Sequence, residues 1–306
     1  MNPHYPRIRI PAESGGLLVR EGLRITFYMR HSHGDVSQGV ERSLDAYLRA
    51  IGPQALGCYI DSEGEEQELD DAGWELTRRK LREQRFPIIR LVDAELSNCR
   101  YRFEYHGKDL GDPSMQQEPL AVCEASFWLP TEFLEEQGPA RIRELARELA
   151  SPLPFCSGSA GLSFNGDLEL LGVPEEVSKY CFRYPGIDFP SPTGYSWRLG
   201  TRIRGPHWLT FLGQPVLGAV GGSMGLRARL HSLGVTVEEL ASDRAVVTLG
   251  EWPEAGDMEK GQTLPAYREL ARVLEPWLYF EPRARLPDLS PEETRRWDRR
   301  FLDELP

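Results

Sequence analysis

The chain has 306 residues and a formal net charge of −11, and its balance of 40% hydrophobic and 27% charged residues is typical of a globular protein. A pI near 5.2 with scattered Lys and Arg argues against a basic nucleic-acid footprint. The five cysteines are odd in number and form no CxxC pair, which argues against a zinc site or a disulfide framework.

The N-terminus carries no apolar leader, and the longest mostly apolar stretch, about a dozen residues, is too short to span a bilayer. The sequence therefore predicts a cytoplasmic protein that contacts neither membrane nor nucleic acid directly.

The first half of the chain predicts strands and helices without regular alternation. β-rich or alternating segments predict strands over residues 23–28, 56–60, 88–92, 100–105 and 121–128. Helical spacing and capping signals predict helices from Asp35 to the Gly52-Pro53 stop, from Asp70 or Asp71 to about Gln84, from Thr131 to Gln137, and onward from Gly138-Pro139.

The second half combines short elements with a long irregular segment. Strands are predicted over residues 157–165, 207–212, 216–220, 235–237 and 245–249. Helices are predicted from Ser223 to Gly234, after a Thr263 cap, and after the Ser290 capping box. No composition shift divides the chain. The expected fold is a single α+β domain, residues 1–306, with a mixed, largely antiparallel sheet, flanking helices and a possible seam near 172–206.

One catalytic motif matches by pattern. Gly221-Gly222-Ser223-Met224-Gly225 fits GxSxG between a predicted strand and a predicted helix, the setting of a nucleophile elbow. The chemistry needs a distant base, and the only downstream histidine is His231, eight residues on in the same predicted helix. A helix N-cap role for Ser223 is therefore favoured over a serine hydrolase, which stays the alternative.

The sequence contains no comparable motif for a metal or cofactor site. His31, His33 and Asp35 could form a metal cluster, but a strand-to-helix turn capped by Asp35 explains them more simply. No glycine motif for a nucleotide is present, so no cofactor is expected. The aromatic set Tyr195, Trp197, His207 and Trp208 favours core packing, with a ligand-binding scaffold as the second alternative.

Negative charge is concentrated in two segments. Residues 61–71 carry seven of the eleven net negative charges and no basic residue: Asp61, Glu63, Glu65, Glu66, Glu68, Asp70 and Asp71. The second segment contains Glu251, Trp252, Glu254, Asp257 and Glu259. Each is either a solvated surface or part of a docking face for a cationic partner, in which Trp252 would be an aromatic anchor.

Several motifs together resemble a known family. They are Phe127-Trp128-Leu129-Pro130, Ser159-Ala160-Gly161-Leu162-Ser163-Phe164, Trp208-Leu209-Thr210-Phe211-Leu212-Gly213, Pro215-Val216-Leu217, Gly221-Gly222 and Trp297-Asp298-Arg299-Arg300-Phe301. Their order over roughly residues 23–301 resembles the TsiV-like immunity family of type VI secretion systems, once known only as a domain of unknown function.

The resemblance implies a non-enzymatic role. Such proteins are encoded beside antibacterial toxins and neutralise them by direct binding in the cytoplasm, and several of those toxins are nucleases of restriction-endonuclease or VRR-Nuc type. No catalytic motif carries over, so no catalytic residue is expected. The expected partner is a cognate secreted toxin, in the first place a nuclease, and both acidic segments are its candidate binding residues.

Overall fold

The computed structural model describes residues 4–12, 15–93, 99–166, 168, 170, 172–189, 195–280 and 290–303. Within these residues, eleven strands form one sheet: β1 (Arg9–Pro11), β2 (Leu17–Met29), β3 (Leu56–Ile60), β4 (Glu66–Glu68), β5 (Ile88–Asp93), β6 (Arg102–His106), β7 (Cys123–Pro130), β8 (Ser157–Gly166), β9 (Leu209–Leu212), β10 (Val235–Ala241) and β11 (Arg244–Leu249). Their order is β10-β11-β9-β8-β2-β7-β6-β5-β3-β4, and β1 pairs with the start of β2.

Helices lie between the strands and after them. They are α1 (His33–Ile51), α2 (Asp71–Glu83), α3 (Thr131–Ala150), α4 (Val173–Cys181), α5 (Tyr195–Arg198), α6 (Val216–Ala219), α7 (Gly222–Arg227), α8 (Pro265–Leu274) and α9 (Pro291–Asp298). Every pairing between these strands is antiparallel. The α+β prediction with a largely antiparallel sheet is confirmed.

One face of the sheet carries the main core beneath α1 and α3. Leu23, Ile25 and Phe27 alternate along β2 and are fully buried there. In β7 the ring of Phe127 lies 5.3 Å from Tyr47 of α1 and 5.2 Å from Phe103 of β6, measured between ring centroids. These contacts attach α1 to the middle of the sheet.

The opposite face of β2 is polar and has a different cover. It carries Arg24, Thr26 and Tyr28, and Tyr28 joins a second, smaller apolar cluster with Val122, Cys156, Tyr195, Leu199 and Tyr279. Buried Arg204 binds Asp188 at 2.7 Å between Nη2 and Oδ2. The segment predicted as irregular, 172–206, thus contains α4, α5 and part of this cover, while its residues 190–194 lie outside the described residues.

The predictions around residues 214–234 are wrong in type and length. Residues 216–219 form helix α6 rather than a strand, and α7 ends at Arg227 rather than at Gly234. Apolar runs this short fit a buried strand and a buried helix equally well, so their periodicity cannot separate the two.

Four predicted helix caps also differ. Ser32 rather than Asp35 precedes α1, and Pro130 rather than Thr131 precedes α3. Gly221 rather than Ser223 precedes α7, and Leu264 at φ 51° rather than Thr263 precedes α8. The Ser290 capping box is confirmed, with both of its hydrogen bonds to Glu293 present. Among the described residues, no helix is both long and apolar enough to cross a membrane.

His33 connects three elements at the start of α1. The ring is 3% exposed, its Nδ1 lies 2.8 Å from the Tyr105 hydroxyl of β6, and its Nε2 lies 2.9 Å from the Leu81 carbonyl of α2. A neutral imidazole with the proton on Nε2 satisfies both contacts, because Nδ1 then accepts from the tyrosine. Burial lowers the pKa of His33 below its usual value of 6.5.

This burial predicts a pH dependence of stability. As the pH falls through 6.5 the unfolded chain takes up a proton at His33 that the folded chain resists, so the folded state loses stability. We expect the free energy of unfolding to decrease between about pH 7 and pH 5, and His33→Gln to weaken that decrease. Burial also lowers the pKa of His106, so part of the pH dependence of stability should remain in the His33→Gln variant. Urea titrations at each pH measure the free energy of unfolding, with His31→Gln, at an exposed histidine, as the control. An unchanged pH dependence in His33→Gln would contradict the prediction.

A second prediction concerns the main core. Phe127→Ala removes a fully buried ring that packs against two other rings, so we expect a loss of about 3–5 kcal/mol in the free energy of unfolding. Phe86→Ala, at a ring that is 40% exposed, should change it by less than about 1 kcal/mol. Urea denaturation followed by circular dichroism compares the two, and equal losses would count against the described core.

Candidate functional site

The first acidic segment forms a β-hairpin followed by a helix. Strands β3 and β4 pair from Cys58 to Glu68, and the turn between them is held by the Asp61 carboxylate. That carboxylate accepts hydrogen bonds from the backbone N–H of Glu63 at 2.9 Å and of Glu65 at 3.0 Å, and from Gln67 Nε2 at 3.0 Å. These bonds, that from the Glu65 N–H foremost, lower the pKa of Asp61. We call residues 61–71 the acidic hairpin.

A second acid of the hairpin also has a structural role. Asp70 is the N-cap of α2, and its Oδ1 accepts a hydrogen bond from the Gly73 N–H at 2.8 Å. The α2 start predicted at Asp70 or Asp71 is therefore confirmed. Asp71 follows in the first turn, where a negative charge interacts favourably with the helix dipole.

The other carboxylates of the hairpin point into solvent. The exposed acids without a role in the turn or the cap are Glu63, Glu65, Glu66, Glu68 and Asp71. Within the part of the chain that the structure describes, none of the five forms a salt bridge. Strand β4 is the last strand of the sheet, so these charges line an open edge.

The second acidic segment is bound into the protein. Asp257 is 4% exposed, and its carboxylate binds Arg183 at 3.0 Å and Lys260 at 3.1 Å. Glu259 lies 2.7 Å from Arg183, and Glu254 lies 3.6 Å from His4. Trp252 is half-buried and stacks on the His4 ring at 5.3 Å between centroids. Glu251 is exposed, and its backbone carbonyl accepts from Arg143.

The two acidic segments lie at different places along the sheet. The second one turns back after the end of β11: the Ala255 N–H donates to the His4 carbonyl at 2.9 Å, and the Gly186 N–H donates to the Ala255 carbonyl at 2.8 Å. Asp188, two residues after Gly186, forms a bridge with Ser163 of β8, which is six strands away from β4 in the sheet order. At ~4.8 Å per strand this places the two segments roughly 30 Å apart across the sheet, so the structure does not bring them together.

The GxSxG motif lacks the geometry of an active site. Helix α6 rather than a strand precedes it, and Gly221 at φ 87° makes the turn into α7. Ser223 is 7% exposed. His231 is exposed beyond the end of α7, and its backbone N–H donates to Glu269 at 2.8 Å. The strand-turn-helix context that a nucleophile elbow requires is absent at this position.

The histidine cluster and the aromatic set are the two other candidate sites from the sequence. The His33 ring is fully engaged with Tyr105 and Leu81, and the described residues hold no group of three or more His, Cys, Asp or Glu side chains suited to a metal ion. Of the aromatic set, Tyr195, His207 and Trp208 are buried, and the Trp208 Nε1 donates to the Gly250 carbonyl at 3.0 Å. Trp197 is 39% exposed.

The structure adds a surface group that the sequence did not predict, although one member, Trp197, belongs to the aromatic set. Four large apolar side chains are exposed around the end of β6: Phe86, Ile88, Leu120 and Trp197. We call them the apolar patch. Their signal in the sequence is weak, because the four residues come from three separate segments of the chain and exposed apolar residues are common on protein surfaces.

Comparisons with known proteins agree with this architecture. No curated protein matches the chain. The solved structure of the Pseudomonas aeruginosa T6SS protein PA0821 has the same fold, with a TM-score of 0.80 over 96% of this chain and 87% of that chain, at 19% sequence identity. The family model TsiV, described as type VI immunity for VRR-NUC, matches residues 39–301. The chain therefore belongs to the TsiV family of type VI immunity proteins for VRR-NUC.

Proposed function

We propose that the chain is a cytoplasmic, non-enzymatic immunity protein that binds a cognate VRR-NUC nuclease toxin of a type VI secretion system and blocks its substrate cleft. The observation that carries the proposal is family membership over residues 39–301. The exposed carboxylates of the acidic hairpin support it, because they offer negative charge that is not engaged in a salt bridge within the described residues.

The electrostatic logic follows from the substrate of a nuclease. A protein that cleaves nucleic acid neutralises phosphates with Lys and Arg, so its substrate cleft is cationic. A row of fixed carboxylates presents charge of the same sign as the phosphates. Such charges mainly accelerate encounter and select the partner, while tight binding needs desolvated contacts as well.

The alternative functions have less support. A serine hydrolase using Ser223 would need a general base within hydrogen-bond reach. A ligand-binding scaffold around residues 195–208 would need a cavity there. Of the three cavities whose linings are described, only one, of about 630 Å³, includes a residue of that segment, Thr201, and none includes its four aromatic side chains.

Inhibition of the nuclease tests the proposal directly. We expect the purified chain to form a stable complex with the VRR-NUC protein encoded beside its gene and to stop DNA cleavage at a molar ratio near one to one. Ser223→Ala should inhibit equally well, because no catalysis is involved. A nuclease that stays fully active in excess of the chain, with no complex in gel filtration, would refute the proposed function.

Charge reversal tests the part played by the acidic hairpin. Changing Glu63, Glu65, Glu66 and Glu68 to Lys should slow association with the nuclease at least ~10-fold at low salt and much less at ~0.5 M salt, where exposed charges are screened. Asp61 and Asp70 are left intact because they hold the turn and the helix cap.

The matched control reverses four exposed acids elsewhere: Glu136, Glu175, Glu239 and Glu292. Both variants change the net charge equally, so a difference between their association rates reports on the position of the charges rather than on the net charge. Equal association rates for the two variants in biolayer interferometry would show that the hairpin has no special part in encounter.

A further inference from the structure

The apolar patch is unusual for its exposure and its clustering. Its members are exposed as follows: Phe86 40%, Ile88 57%, Leu120 46% and Trp197 39%. They make up four of the seven large hydrophobic residues exposed in the described chain. Single exposed apolar residues are normal on a protein surface, whereas a contiguous group often marks an interaction site.

Phe86 is two residues before Ile88 in the chain, and backbone and side-chain contacts bring Leu120 and Trp197 to the same end of the sheet. Ile88 of β5 pairs with His106 of β6, and the next N–H along, that of Gly107, donates to the Pro87 carbonyl at 2.9 Å. Lys108 then places its Nζ 4.7 Å from the centroid of the Trp197 ring and donates to the Val122 carbonyl at 3.0 Å. These contacts join the β5–β6 end to the segment that carries Trp197.

Leu120 completes the group from the other side. Its carbonyl accepts the Gly200 N–H at 2.9 Å, and the Val122 N–H donates to the Ser196 carbonyl at 2.8 Å. The chain around Leu120 therefore runs beside the helix that carries Trp197. The cation of Lys108 lies under the tryptophan and holds the ring at the surface.

The acidic hairpin borders this patch. Strands β3 and β5 are antiparallel, with Tyr59 opposite Leu91, so the turn that follows Ile60 lies at the Ile88 end of β5. At ~4.8 Å per strand, β3 and β4 are about 5 and 10 Å from β5. Glu66 pairs with Ile60 and Glu68 with Cys58, and Cys58 pairs in turn with Val92. Because side chains alternate along a strand, Ile88 lies on the sheet face that carries both glutamates.

We propose that the apolar patch and the acidic hairpin form one docking surface, and that its occupant is the basic, nucleic-acid-binding face of the cognate nuclease. This inference rests on the proposed function and locates it on the chain. The patch is the part that loses water on binding, with Trp197 as its anchor, and the hairpin supplies a negatively charged rim.

Charge complementarity selects this occupant. The free carboxylates lie at one border of the patch, whereas the acids around Trp252 are mostly engaged with Arg183, Lys260 and His4 in another part of the protein. A partner surface that carries both apolar side chains and Lys or Arg therefore fits the apolar patch with the acidic hairpin, and does not fit the segment around Trp252. An acidic partner would be repelled by the hairpin.

Two substitutions separate the patch from the hairpin. Trp197→Ala and Ile88→Asp should each raise the Kd for the neighbouring-gene VRR-NUC protein at least ~10-fold, mainly through faster dissociation, because they remove desolvated contacts. Met224→Ala and Leu233→Asp are the matched controls at exposed apolar positions near the other end of the sheet, and they should change Kd less than ~2-fold. Circular dichroism confirms that each variant is folded.

The outcomes are distinct. Folded Trp197→Ala and Ile88→Asp with wild-type dissociation rates overturn the patch as the interface, while wild-type inhibition by the unmodified chain keeps the proposed function. A wild-type chain that neither binds nor inhibits the nuclease refutes both. A short DNA duplex should compete with the chain for a cleavage-inactive nuclease; a stable ternary complex instead overturns the assignment of the occupied face.

Discussion

Strand β2 is the element on which the rest of the structure depends, because it pairs along its length with both β7 and β8 and separates two unlike faces. Leu23, Ile25 and Phe27 point to the side that α1 and α3 cover, where burial of apolar surface is the main stabilising term. Arg24, Thr26 and Tyr28 point to the other side. A shift of one residue in this register would exchange the two faces, so it is strongly fixed by burial.

The two faces have different consequences for function. The face beneath α1 and α3 holds the main core, which stabilises the sheet that ends at strand β4. On the opposite face, residues 195–208 cover the β2–β8 region, and exposed apolar side chains remain around the ends of β5 and β6. The exposed apolar side chains on this face therefore lie on the protein surface, where a partner could reach them.

The contrast between the two acidic segments depends on neighbours rather than on composition. Both are rich in Asp and Glu, but Arg183, Lys260 and His4 bind the acids of the second. In the first, Asp61 and Asp70 are committed to the turn and the helix cap, and five carboxylates have no such commitment. In the proposed docking surface, these carboxylates would steer a cationic partner over a distance of about a Debye length, roughly 8–10 Å, and the adjacent apolar side chains would then make the close contacts.

Local signals in the sequence are sufficient for a large part of this fold. The alternation in β2, the Asp70 cap of α2 and the Ser290 capping box are all recognisable, because each depends on residues close in the chain. The motifs that resemble the family span most of the chain, and the family match agrees with them. The type of short buried elements such as α6 was predicted wrongly, because it depends on neighbours in space rather than on periodicity.

The sequence by itself determined the α+β class, many of the strands and helices, the family and the concentration of charge in residues 61–71. Only the tertiary structure decided which acids are free, because salt bridges such as Asp257 with Arg183 join residues far apart in the chain. It alone brought Ile88 and Trp197 to one place, through the register of β5 with β6 and the contact of Lys108 with Trp197. Surfaces are built from contacts that are distant in sequence, and local patterns contain no information about them.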